Sequence, residues 1–490
     1  MNKLVSSLSN QAYTANGAIT NESTLDTFLD LFSNIGNPLT NDIEFENTIK
    51  ELYQKDESLT LRLLAYGRDI LEGTGRRDRF ICAYDELLSL EAESKENTED
   101  LFIILLRMIN SGMSYWKDMF KLYSMTDNKH FKYFTELSVY AFFETEPDDK
   151  MHLSNLAKWM PRKGELFNKV RILLGVTPKE LRKWLVANTN VVENKLCARD
   201  WDSIDFSKVP GRALKMYNRI FSERFETSKR YLAFLSDVAN GKEKMNVGKT
   251  VNAYEAFFQD KDFAQASFKA MLDALDNVDK KVLVVSDTSG SMTGTPMKVC
   301  VSLTALFGTK LTGDFHNCTI PFSSSARLVK WKDSYDIKSI MKKIMTGEVA
   351  NTDLQAVFDL ILNTAISKNV PQEDMPNILL IISDMQFDQA CYWDSAYGKA
   401  SVDNIELMRR KYKDAGYDIP QIIFWNVSEY DYNNKPITKD ERGIMVSGFS
   451  QNIWNSMMKL DLEDFTPYKF MLETLSRDRY VNLINPSKIV

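Results

Sequence analysis

The chain has 490 residues, 44% of them hydrophobic and 26% charged, and a formal net charge of −6. That length suffices for two or three domains with cores of their own, and the balance excludes a disordered, collagenous or membrane-embedded chain. No overall positive charge announces nucleic acid, yet 20 Lys/Arg against 10 Asp/Glu fall between Met151 and Thr250, which leaves the remainder at −16. A basic stretch in an acidic chain suits a face built for anions, and it equally suits a well-solvated helical surface. Five cysteines are scattered without any C-x-x-C pair, and His130, His152 and His316 stand far apart. This pattern fits a reducing compartment and argues against zinc. Apolar stretches such as Leu101–Ile109 fall short of the roughly 20 residues a membrane helix needs, and the polar N-terminus lacks a signal core. A cytoplasmic protein is expected.

Residues 1–20 are rich in Ser and Asn and read as a flexible leader. From 21 to 270 the apolar period is helical. Helices are predicted from Asn21, then over Asp42–Tyr53, Ser58–Leu71, Arg76–Leu90, Asn97–Ile109, Trp116–Tyr123, Phe131–Glu144, Leu153–Met160, Pro178–Ala187, Pro210–Phe221 and Glu223–Val238. Many helices joined by short turns predict an irregular HEAT-like α-helical array, without a fixed-period repeat. Residues 271–490 alternate instead. Strands are expected at Val282–Asp287, Cys318–Phe322, Ala326–Trp331, Ile378–Ser383, Gln421–Val427 and Gly443–Ser447. Helices are expected at Pro296–Thr309, Ile337–Met345, Leu354–Ile366, Val402–Lys413, Gln451–Lys459 and Tyr468–Leu475. Strand–helix alternation with apolar strands predicts a doubly wound, Rossmann-like α/β domain, whose ligands bind beyond the strands' carboxyl ends.

Two apolar strands end in acid. Val282–Met292 closes on Asp287-Thr-Ser289-Gly-Ser291, and Ile378–Ser383 runs into Asp384. In an extended loop alternate side chains point the same way, so Asp287, Ser289 and Ser291 converge. Thr352 opens the predicted helix at Leu354. One carboxylate with hydroxyls is a hard oxygen set suited to Mg²⁺ or another divalent cation. The same residue types also serve as helix caps and turn formers, which accounts for each singly but not for two buried strands both ending in Asp. The set Asp287, Ser289, Ser291, Thr352 and Asp384 resembles the metal-ion-dependent adhesion site of von Willebrand factor A (vWA) domains.

A helical array followed by a vWA domain resembles the Ro autoantigen (TROVE) proteins and a related vWA family of plants and large DNA viruses. The phrases that carry this likeness are Arg68–Arg79, Gly112–Lys121, Leu156–Pro161, Val209–Tyr217 and Ser383–Gln389. The resemblance spans about residues 50 to 485 and implies helical repeats closed into a ring, structured RNA on the outer surface and single-stranded ends through a basic hole. The RNA candidates are then Arg76, Arg77, Arg79, Trp116, Lys117, Lys158, Arg162, Lys163, Arg212, Lys215 and Arg219. Lys and Arg would neutralise phosphates and aromatics would stack unpaired bases. The last three recur at i, i+3 and i+7 on one helix face. Trp116 stands where some Ro proteins carry His, so base recognition through an imidazole is missing there. Each basic residue singly also fits a solvated surface, and Trp116 and Trp159 also fit a core.

Two other functions stay open. The metal could dock an acidic residue of a protein partner on a helical scaffold without RNA. It could also serve phosphoryl hydrolysis, with Asp353 or Asp388 holding a second ion. Against an enzyme, the predicted shell is mostly hydroxyls without a positioned base, and no P-loop, nucleophile elbow or H-E-x-x-H helix appears.

Overall fold

The structure is a computed structural model, and it describes residues 10–93, 100–145, 150–346, 351–394, 398–430, 434–459 and 465–484. The chain forms two compact units, one of Met1–Thr40 with Leu232–Thr474, the other of Asn41–Tyr231 with Leu475–Val490. These bounds differ from a leader ending at 20 and a boundary at 270. Short strands Gln11–Tyr13 and Ile19–Asn21 pair antiparallel, and Ala18 is buried in the α/β core, so the described part of the leader is folded.

In the helical unit, caps set the starts of several helices. Asn41 and Asp56 accept backbone N–H groups at the heads of Asp42–Lys55 and Glu57–Arg68. Thr177 and Glu180 form a capping box ahead of Pro178–Ala187. Each satisfies donors that a helix start otherwise leaves open. Alternate helices then stack in two layers. Asp42–Lys55, Arg77–Glu93, Trp116–Met125, Lys150–Trp159 and Pro178–Ala187 follow one another in the first. Asp100–Asn110, Lys129–Thr145 and Glu165–Leu173 follow one another in the second. This i, i+2 stacking is the packing of an irregular HEAT-like array.

A helix that sequence periodicity did not suggest, Asp478–Ile484, packs against both Glu57–Arg68 and Asp100–Asn110 in that second layer. Tyr480 is fully buried, its ring edge-on to Tyr66 at 6.1 Å. Its hydroxyl donates to Asp69, 3.2 Å away. The same carboxylate accepts from Arg479 through Nε (2.5 Å) and Nη2 (2.9 Å). Losing an aromatic side chain from such a core costs about 3–5 kcal/mol. Tyr480→Ala should therefore lower the urea midpoint of the helical unit, followed by circular dichroism, by that equivalent.

The α/β unit is built on six strands: β1 (Val282–Asp287), β2 (Cys318–Phe322), β3 (Val329–Lys330), β4 (Ile378–Ser383), β5 (Gln421–Asn426) and β6 (Ile444–Ser447). Their order is β6-β5-β4-β1-β2-β3, parallel except for β3. Every residue of β1, β4 and β5 is buried, which is why they read as unbroken apolar runs. One face carries Leu283, Val285, Leu379, Ile381 and Phe424, packed with Phe358, Met408 and Tyr412 of helices Leu354–Lys368 and Asn404–Ala415. On the other, Trp425 meets Phe307, which stacks on Trp454 at 4.4 Å. Helices on both faces make the sheet doubly wound. Its carboxyl ends therefore lie free of covering helices, and the polar loops gather there.

Candidate functional site

Beyond the carboxyl ends of β1 and β4 the chain leaves two alternating loops, Asp287–Ser291 and Asp384–Asp388. Asp287, Ser289, Thr352 and Asp384 are buried, while Gly290 and Ser291 are exposed and open the group to solvent. Asp287 accepts from the Ser289 N–H (2.9 Å) and from the Ser383 hydroxyl (2.5 Å). The Ser289 and Ser291 hydroxyls lie 3.1 Å apart, and Ser291 also bonds to Asp384. Asp384 accepts from the Gln386 N–H at 3.1 Å. Thr352 is brought in by the third loop, its N–H donating to Asp388 Oδ2 (2.9 Å) and its carbonyl accepting from the Asp388 N–H (2.9 Å). Met385, between the two polar residues Asp384 and Gln386, has φ of 66°. That left-handed conformation costs roughly 1–2 kcal/mol for a residue other than glycine, and strain of this kind clusters at functional loops.

The electrostatics are unbalanced. Burial, with the neighbouring Asp384 charge, pushes Asp287 up to about 7. Burial also raises Asp384, against the hydrogen bonds from Gln386 and Ser291. Among the described residues no Lys or Arg pairs with either carboxylate. Buried carboxylates without a cation must take up protons or a metal. Gln386 Nε2 is likewise buried with no acceptor among the described residues.

Asp353 and Asp388 are engaged otherwise. Asp353 caps helix Leu354–Lys368 through the Ala356 N–H (3.1 Å), and Asp388 holds Thr352. The sequence reading overlooked Ser383, Gln386 and the acceptor role of Asp388. The alternation Asp384-x-Gln386-x-Asp388, which repeats the spacing of 287, 289 and 291, is the signal that marks the last two. A cleft of about 1440 Å³, lined by Lys281, Asn377 and Gln421 among others, opens at the amino ends of the strands and is a separate feature.

The RNA candidates all belong to the helical unit, and the structure sorts them. Arg79 and Trp116 are 2% and 1% exposed and are corrected to core residues. Arg79 lies over the Phe45 ring, and Trp116 stacks on Phe120 with Phe142 edge-on, because their helices turn those positions inward. Arg77 pairs with buried Asp118 at 2.6 Å, and Arg76 pairs with Asp78 at 2.7 Å. Lys117 and Lys158 come together over the half-buried Trp159 ring, at 4.7 and 5.4 Å from its centre, and Lys158 also reaches Glu193 at 3.6 Å. Arg162 donates to the Met160 carbonyl, and Lys163 is exposed. On helix Gly211–Glu223, Arg212 and Arg219 are exposed and Lys215 half-buried, with Arg219 paired to Glu223.

Comparison with known proteins gives matches over most of the chain. A family model described as a domain of unknown function (DUF7788) matches residues 281–476, and a second such domain (DUF2828) matches residues 177–252. The chain is 26% identical to Uncharacterized protein L728 of Acanthamoeba polyphaga mimivirus, with 96% of this chain and 88% of that protein covered. Among solved structures it is similar to the RO (RSR) protein of Deinococcus radiodurans, at a TM-score of 0.40 and 13% identity, covering 91% of this chain and 96% of the other. Among the described residues no helix is long and apolar enough to cross a membrane.

Proposed function

We propose that the α/β unit is a vWA-type domain holding Mg²⁺ or another divalent cation, and that the helical unit binds RNA in the manner of the Ro proteins whose motifs it resembles. The metal reading is supported by the grouping of Asp287, Ser289, Ser291 and Asp384 beyond one end of the sheet, with Thr352 bonded to Asp388 of the loop that follows Asp384. The residues fit a hard cation: two carboxylates and three hydroxyls supply oxygen donors, and the carboxylates are buried without a counter-charge among the described residues. When bound, the ion would supply a coordination position for the carboxylate of a protein partner. A docking role is favoured over catalysis, because Asp353 and Asp388 are committed to a helix cap and to Thr352. The free cysteines among the described residues fit a reducing cytoplasm, the host's if the chain is viral.

The RNA reading is supported by the basic surplus of residues 151–250 and by the exposed cations on helix Gly211–Glu223. Mobility-shift titration with structured and single-stranded RNA should show affinity that falls with salt. The triple change Arg212→Glu, Lys215→Glu, Arg219→Glu should weaken it and flatten the salt slope by about one for each phosphate left unneutralised. Absence of affinity at low salt would sink the RNA reading. A second reading, a protein-binding scaffold without RNA, draws on the exposed apolar side chains Ile172, Val186, Met216 and Phe225 in the same stretch. Under it, Asp287→Ala abolishes partner capture and RNA affinity is missing from the start.

A further inference from the structure

We propose that Asn16 is a positioning residue of this metal site and that residues 14–17 form its fourth loop, an inference that rests on the metal reading above. The turn between strands Gln11–Tyr13 and Ile19–Asn21 is seated on the two loops that deliver Thr352 and Asp384. The Asn16 amide donates to the Gln386 carbonyl at 2.7 Å and to the Thr352 hydroxyl oxygen at 3.3 Å. The Ala15 N–H donates to the Gln386 side-chain oxygen at 2.8 Å, and the Thr14 hydroxyl to the Phe387 carbonyl at 2.6 Å. Gly17 bridges to Asp388, and Gly17 itself has φ of 85°, which lets the turn close. These bonds join positions more than 330 residues apart in sequence.

A threonine hydroxyl has two lone pairs and one hydrogen. Asn16 occupies one pair and fixes the side chain, which leaves the other pair for a cation. Its bond to the Gln386 carbonyl steadies the loop between Asp384 and Asp388 at the same time. Partners of this kind around metal ligands orient the ligands, and losing one typically weakens metal affinity about 10–100-fold. The coupling is reciprocal: if the turn steadies the ligands, the bound ion steadies the turn.

The test is calorimetric titration of the full-length protein with MnCl₂, comparing wild type, Asn16→Ala and Asp287→Ala, with thermal melts in EDTA. Asn16 is exposed, so its alanine variant should keep the metal-free midpoint while binding Mn²⁺ about 10–100-fold more weakly, and Asp287→Ala should bind none. Wild-type affinity in Asn16→Ala would overturn the proposal and leave the metal reading standing. A wild type that binds no Mn²⁺ would overturn both. Should Asn16→Ala lower the metal-free midpoint, hydrogen exchange on the wild type decides: slower exchange at Ala15 with MgCl₂ supports the proposal, and indifference refutes it.

Discussion

Changing Asp287 to asparagine is expected to make the metal-free protein more stable at pH 8 and to abolish its response to Mg²⁺. Burial and the Asp384 charge hold the Asp287 carboxyl near 7 in the folded chain, against about 3.9 when unfolded. A raised carboxyl binds more protons folded than unfolded. Its contribution to stability is thus fully present below about pH 4 and is lost as pH rises through 7. Each unit of such a shift corresponds to about 1.4 kcal/mol. In EDTA the wild type should therefore melt at a lower temperature at pH 8 than at pH 6, with Mg²⁺ reversing the loss. Metal affinity should fall on acidification, since the ligand must first lose its proton. Asparagine keeps the shape without the charge, so its melting curve should stay flat across this pH range and indifferent to Mg²⁺. If the variant is destabilised at pH 8 as strongly as at pH 6, Asp287 is a structural acceptor and not a strained ligand.

Asp118→Ala should destabilise the helical unit by about 3–5 kcal/mol. Asp118 is fully buried and accepts from Arg68 Nη2 at 2.7 Å, Arg77 Nε at 2.6 Å and the Ser114 hydroxyl at 2.7 Å. Arg68 is itself 1% exposed, so removing the carboxylate strands a buried guanidinium. Burial alone would raise Asp118, yet Arg68, Ser114 and Arg77 together hold it below the ordinary carboxylate value. Its contribution is present above about pH 3.9 and lost as pH falls further, so the unit should be acid-labile there. Urea unfolding at pH 7 checks the magnitude. The double change Arg68→Met with Asp118→Leu should recover most of the loss, because apolar replacement of a buried pair is often neutral.

Where local chemistry decides the backbone, the elements were legible from the residues. Pro178–Ala187 lies where the apolar period places it, behind a capping box, and β2, β4 and β5 lie where the apolar runs place them. The position of Asp287, Ser289, Ser291 and Asp384 in loops beyond two strand ends was legible too, because the apolar runs mark those ends, as was that of Thr352 ahead of helix Leu354–Lys368. Which helix face is buried was not. Arg79 and Trp116 sit among Arg and Lys in the sequence, and only packing against Phe45 and Phe120 turns them inward. The strands at Gln11 and Ile19 are three residues long and mostly polar, too short for any period to show. Their stability comes from partners such as Lys435 and Gln386, hundreds of positions away. Asn16 was invisible for the same reason.

The return of helix Asp478–Ile484 to the helical unit sets an order of assembly during biosynthesis. Residues 41–231 leave the ribosome long before Tyr480, and until Tyr480 arrives the Asp69 and Tyr66 side chains lack the group that buries them. The α/β unit takes its last residues up to Thr474, and the helical unit is finished only after it. Fragments cut at Tyr231 should then be held by chaperones or degraded, however well the rest of the helical array is encoded.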